Sequence, residues 1–187
     1  MLLLMLGVLL WSGAHLLKRF APAARDRLGR LGKGLVALTI FASLAMMIIG
    51  YRMADGAVYW GRSPALVGIN NLLMFIGVYF LLTGEMQRKS ETVNWLRGKT
   101  KHPMLNAVKV WAVAHILVNG DMPSFVLFGG LLTWAIVEMI VINRNEDQLP
   151  DTRPHSWPAE AKIFGASLVT LVVIMGIHYL LGYQPWG

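Results

Sequence analysis

The sequence predicts an all-α, polytopic membrane helix bundle of about six transmembrane helices, a single domain over residues 1–187, with both termini on the outer (periplasmic) side. Three observations predict it. Hydrophobic residues make up 56% of the chain and charged residues only 14%, well below the roughly 25% of a soluble domain. The apolar residues gather in six runs, each close to the ~20 residues needed to cross a bilayer. The basic residues gather in alternate connections between those runs.

The first run is Met1–Leu17, and Gly34–Tyr51 and Ser63–Gly84 follow. The fourth extends from Pro103 to about Asn119 and contains Lys109; the fifth extends from Met122 to about Asn143 and contains Glu138. The sixth is Ile163–Gly182. None alternates polar and apolar residues between regular turns, which argues against a β-barrel. The Pro-containing tract Leu149–Pro158 reads as a surface loop. No internal repeat is evident.

Of the 17 Lys and Arg residues, 14 lie in three connections: Lys18–Lys33, Glu85–His102 and Arg144–Lys162. The positive-inside rule places these three in the cytoplasm, and the chain ends outside. Ala21 and Ala23 mimic a signal-peptidase site. However, no basic residue precedes the first run and Lys18-Arg19 follow it, so the run is expected to be a retained helix. The net charge of +7 then reads as anchoring against anionic lipid, with no nucleic-acid partner. The absence of cysteine excludes disulfides, thiolate nucleophiles and Cys-ligated metal centres.

Ionisable and amide side chains inside a bilayer are costly and face the bundle interior, so they carry the functional signal. In the fourth helix, His102, Asn106 and Lys109 share one face, and Trp111, His115 and Asn119 share another. His102 starts that helix at the cytoplasmic side, and His115 lies about 20 Å deeper at ~1.5 Å per residue. Level with His102 are His15, Glu85 and Glu138; level with His115 are Asn70, Asn71, Asp121 and His178. Lys109 and Glu138 are expected to form a buried ion pair that sets helix register. A membrane histidine serves as a metal or haem ligand, a proton carrier or a hydrogen-bond partner. His178, near an interface, reads as packing, and His155 as a solvated loop residue. Tryptophans at span ends, Trp11 and Trp134 among them, read as interfacial belts. Gly129-Gly130 reads as a point of close helix approach. No phosphate loop, zinc motif or nucleophile elbow is present.

The fourth and fifth runs share a long block: Lys101-His102-Pro103, then Lys109, Trp111, Ala112, Ala114 and His115, then Asn119-Gly120-Asp121, Ser124 and Leu127-Phe128-Gly129-Gly130. With Gly13-Ala14-His15 before the first basic connection, this block resembles the NnrU family across essentially the whole chain. That family comprises multi-pass proteins of the bacterial inner (cytoplasmic) membrane, whose founding members are associated with denitrification. It is also similar to plant zeta-carotene isomerase, a haem b enzyme of the membrane. The resemblance implies haem b, with His15 and His115 as iron ligands and His102 as a further matching position. Where the plant enzyme has a cysteine, this chain has Ala112, so no swap to a thiolate ligand is available.

Three functions follow as expectations. One is a haem protein with redox or isomerase activity, acting on a hydrophobic small molecule. Another is a non-catalytic accessory or regulator, without cofactor, that supports respiratory nitrogen-oxide enzymes. The third, a transporter or proton-linked channel, is suggested by Lys109 and Glu138 but lacks an inverted repeat or broken helix. Lys109, Glu138, Asn70 and Asn106 are the expected buried polar support, and lipid is the surrounding partner. By depth alone His15 is level with His102, by resemblance its counterpart is His115, and the sequence leaves both pairings open.

Overall fold

A computed structural model describes the chain except residues 22, 24–26, 28, 147–150 and 187, and except the side chains of 18 and 30. Arg25 of the first basic connection and the Leu149-Pro150 start of the Pro-containing tract lie outside the described residues. The fold is all-helical, with one small strand pair. Helices α1 (Leu2–Phe20) and α2 (Gly29–Arg52) are followed by β1 (Val58–Trp60) and α3 (Pro64–Met86). Next come a short α4 (Trp95–Lys99), α5 (Pro103–Val118) and β2 (Gly120–Asp121). Helix α6 (Met122–Asn145) and α7 (Trp157–Leu180) complete the chain.

All six apolar runs are helices. Four of them are long and apolar enough to cross a membrane: residues Leu31–Arg52 within α2, together with α3, α6 and α7. The apolar parts of α1 (Leu2–Leu17) and α5 (Pro103–Val118) are shorter. Side chains such as Leu38, Phe41, Leu72, Val169 and Val172 remain exposed along these helices. So much continuous apolar surface is untenable in water and is the natural lipid contact of a membrane protein. The sixth helix begins earlier than its hydropathy, at Trp157, because Ser156 caps it and Pro158 fits its first turn.

The main helix contacts run in the order α2–α1–α6–α5–α3–α7, which puts α2 and α7 at the two ends of the row. Close approach of α1 and α2 rests on glycine. A Cβ on Gly7 would lie 2.9 Å from the Met47 backbone nitrogen, and one on Gly50 2.5 Å from the Leu4 nitrogen. Beside this contact Leu4, Val8, Met47, Leu131, Trp134 and Ala135 form the apolar core. Without a hydrophobic drive inside lipid, such backbone-to-backbone packing is what holds two helices together.

The two ends of the bundle differ. At one end β1 pairs antiparallel with β2, Val58 opposite Asp121 and Trp60 opposite Gly120. Leu4 meets Gly50 there, and Asn71 donates to the Pro185 carbonyl at 3.0 Å, so both chain ends lie at this strand end. The opposite, basic end is closed by a polar network. Fully buried Asn94 donates from Nδ2 to Tyr79 Oη and Thr83 Oγ1, each at 2.9 Å, and accepts from the Arg97 N–H at 3.0 Å as the α4 N-cap. Tyr79 in turn donates to Glu160, whose other oxygen accepts the Trp95 N–H. Arg153 grips Asp151 and donates to the Gln87 and Ser90 carbonyls, and Arg97 joins it at Asp151. Hydrogen bonds from Arg153, reinforced by Arg97, hold the Asp151 carboxyl well below the usual aspartate range against the opposing pull of burial.

Candidate functional site

Three histidines sit within the apolar helices and share one local geometry. His15 Nδ1 lies 2.9 Å from the Trp11 carbonyl, His115 Nδ1 2.9 Å from the Trp111 carbonyl, and His178 Nδ1 2.8 Å from the Ile174 carbonyl. A carbonyl only accepts, so each Nδ1 donates; in the neutral ring Nε2 then carries a lone pair. Each bond spans one helical turn, so the helix itself fixes the tautomer and the ring direction. Metal-ligating histidines are held in this way, with the other ring N–H on a carbonyl or carboxylate.

The three rings occupy two aromatic clusters. His15 lies 4.3 Å from Trp11 and 4.9 Å from Trp134 between ring centroids, on the α1–α6 contact. Trp134 is buried and Trp11 partly so; neither forms part of an interfacial belt, because the α1–α6 contact encloses them. Both indole Nε1 atoms are buried without a hydrogen-bond partner. The second cluster is nearer the strand end. His115 stacks on Phe128 at 4.7 Å with planes 28° apart, and Trp111 meets both rings at 5.0 Å. His178 brings its ring to 6.5 Å from that of His115, with Tyr183 6.3 Å beyond. Phe128 and Trp134 are six residues apart on α6, so the two clusters differ in depth by roughly 9 Å.

Phe128 belongs to a π-helical stretch, Phe125–Gly129, within α6. Such wide turns re-aim side chains and recur at functional sites. The stretch follows the Asp121 cap, whose Oδ1 accepts the Ser124 N–H at 2.8 Å. Buried Ser124 shares a 2.8 Å hydrogen bond with Tyr51 of α2. Gly130 closes the turn against Val8, where a Cβ would lie 2.7 Å from Cγ1, so half of the expected Gly129-Gly130 approach is present; Gly129 itself faces open space.

The other expected residues fall elsewhere. His102 precedes α5 at the basic end, with Nε2 2.7 Å from Asn143 Oδ1. Asn106 donates to Thr100 Oγ1 at 2.7 Å. The expected Lys109–Glu138 ion pair is replaced. Glu138 lies 3.7 Å from Arg19 Nε, the Nη1 of the same guanidinium pairs with Glu146, and Lys109 reaches Met139 Sδ at 3.6 Å. Packing of α1 against α6 delivers Arg19 to Glu138, and hydropathy does not report that contact. Asn70 donates to Asn71 at 3.1 Å, while its Oδ1 is buried without a partner. His155 lies 3.5 Å from Glu160 at the basic end. Thus His178 joins His115, as their common depth signalled, whereas His15 and His102 each have other neighbours.

The donor chemistry of these imidazoles fits a haem iron, which takes two axial nitrogens and no further protein ligand. Among the described residues no group of three or more His, Cys, Asp or Glu gathers to hold a metal ion directly. Comparison with curated proteins and with solved structures finds no match. The family model NnrU protein matches residues 3–185, nearly the whole chain, and the protein belongs to that family.

Proposed function

We propose that this protein binds haem b inside the bacterial inner membrane through imidazole ligands and serves nitrogen-oxide respiration there. The observation that carries the reading is the shared geometry of His15, His115 and His178. Each donates Nδ1–H to its own helix and leaves Nε2 as a lone pair. A bound haem supplies one-electron redox chemistry. The chain's part is to orient the imidazoles and to exclude water from them with Trp11 and Trp134 at one level and Trp111 and Phe128 at the other. The link to nitrite and nitric oxide reduction comes from the family resemblance and makes the protein a partner of those enzymes.

Protein purified after expression with ample haem is expected to show a Soret band that sharpens on reduction. An intact, folded preparation with no Soret absorption would overturn the haem reading and leave a cofactor-free accessory in its place. A second reading, isomerisation of an apolar substrate, is supported by the open groove of about 500 Å³ between α1 and α2, lined by Leu6, Leu10, Gly13, Ala14, Leu35 and Val36.

In the same reading all six helices span the bilayer and both chain ends face the periplasm, since the three basic connections belong inside. The chain has no cysteine, so single substitutions report topology directly. Gln184→Cys is expected to react with a membrane-impermeant maleimide in intact cells, and Thr152→Cys only after lysis. The reverse pattern would invert the orientation.

A further inference from the structure

We propose that the groove between α1 and α2 binds one acyl chain of an anionic phospholipid, whose phosphate is held by the basic connection at its mouth. The proposal goes beyond the haem reading and stands without it. The groove encloses about 500 Å³. Leu6, Leu10, Gly13 and Leu17 line it from α1, and their i, i+4, i+7, i+11 spacing makes them one helix face. Trp11 and His15 lie on the opposite side of that helix, against Trp134 of α6. The groove thus opens away from the histidines. On α2 it runs from Gly32 to Thr39. Among the described lining residues only Thr39 is polar, and its hydroxyl already donates to the Leu35 carbonyl at 2.9 Å. Such a wall accepts hydrocarbon and gives a buried polar group no partner.

Length points to an acyl chain. Leu6 to Leu17 covers roughly 16 Å of helix, and one leaflet of the hydrocarbon core is about 15 Å deep. The groove therefore reaches from the basic end to about mid-bilayer. There the glycine contact closes it, since Cβ atoms on Gly7 and Gly50 would strike the Met47 and Leu4 backbones. Further toward the basic end, nothing lies within 4 Å of a Cβ on Gly13. The main contact of α2 is with α1, and an unfilled groove would leave both walls without partner atoms. The mouth supplies the charge. Lys18–Lys33 holds six basic residues and one acid, Asp26. Arg19 turns inward to Glu138 and Glu146. Arg27 and Lys33 are exposed, and Lys33 adjoins Gly32 of the groove wall. Basic clusters beside gaps between membrane helices bind anionic headgroups.

The test is native mass spectrometry of the full chain in detergent with equal dioleoyl phosphatidylglycerol and dioleoyl phosphatidylcholine. One phosphatidylglycerol is expected to stay bound in preference to phosphatidylcholine. Each cation near an anionic headgroup is worth about fivefold in affinity, so Arg27→Gln with Lys33→Gln should weaken phosphatidylglycerol binding roughly thirtyfold. Gly13→Leu projects a side chain into the groove without striking protein, and should abolish the adduct. Its thermal unfolding in lipid-free detergent should match the wild type, which separates lost binding from lost fold. An adduct retained in Gly13→Leu overturns the acyl-chain site. Equal retention of the two lipids by the wild type overturns the headgroup claim. Displacement of phosphatidylglycerol by squalene, an uncharged hydrocarbon, would assign the groove to an apolar substrate. A lipid-free dimer that Gly13→Leu splits would assign it to a second copy of the chain. Either result overturns the proposal. None of these outcomes bears on the Soret band, so the haem reading stands or falls separately.

Discussion

Replacing Gly50 with valine is expected to separate α1 from α2 and to lower the stability of the bundle by about 3 kcal/mol or more. A Cβ at this position would lie 2.5 Å from the Leu4 nitrogen and 2.8 Å from its Cα. These are backbone atoms of the facing helix and cannot rotate away, so only movement of a whole helix relieves the clash. That movement also strips contacts from Leu4, Val8 and Met47 in the core beside it. In a bilayer, no hydrophobic drive restores the pair once close packing is lost. Thermal unfolding in detergent reads the effect. Gly34→Val on the same helix is the control, because nothing lies within 4 Å of a Cβ there. Equal melting of the two variants would refute the account.

Asn94→Ala is expected to cost roughly 2–4 kcal/mol, the sum of a lost helix cap and buried hydrogen bonds left unmade. Asn94 is fully buried and ties two helices together through three partners: Tyr79 and Thr83 of α3, and the Arg97 N–H of α4. Its loss also frees Tyr79, the group that reaches Glu160 at the start of α7. Thr83→Val removes one of these acceptors and should cost about 1 kcal/mol. The readout is thermal unfolding combined with limited proteolysis of the α3–α5 connection. Wild-type stability and wild-type protease resistance of Asn94→Ala would show that the network is ornamental.

These two sites were unequally legible in the sequence. Glu85–His102 carries five basic residues, and charge counting treats it as a solvated anchor. Hydropathy gives no sign that Asn94 inside it is buried; the local clue is its place before Trp95-Leu96-Arg97, where a small polar residue caps a helix. The candidate site was half legible. His15 and His115 stand out because a ring nitrogen in an apolar run is costly, and depth counting put His178 level with His115. That counting could not say which histidines meet, because level is one coordinate and the position of a helix in the row is another. Lys109 and Glu138 show the same limit: they match in depth, yet Arg19 reaches Glu138.

What the sequence by itself determined is the helical class, the six apolar segments, the basic end and the family. Each depends on local properties: hydropathy over ~20 residues, charge in the connections and a continuous motif. What only the tertiary structure decided is adjacency: the order α2–α1–α6–α5–α3–α7, the glycine contact at Leu4, and His178 as the neighbour of His115. The physical reason is that helix contacts inside lipid are set by the shape of facing surfaces. A glycine opposite a backbone or a wide turn at Phe128 fixes helix spacing and rotation, and neither changes the hydropathy of the segment that contains it.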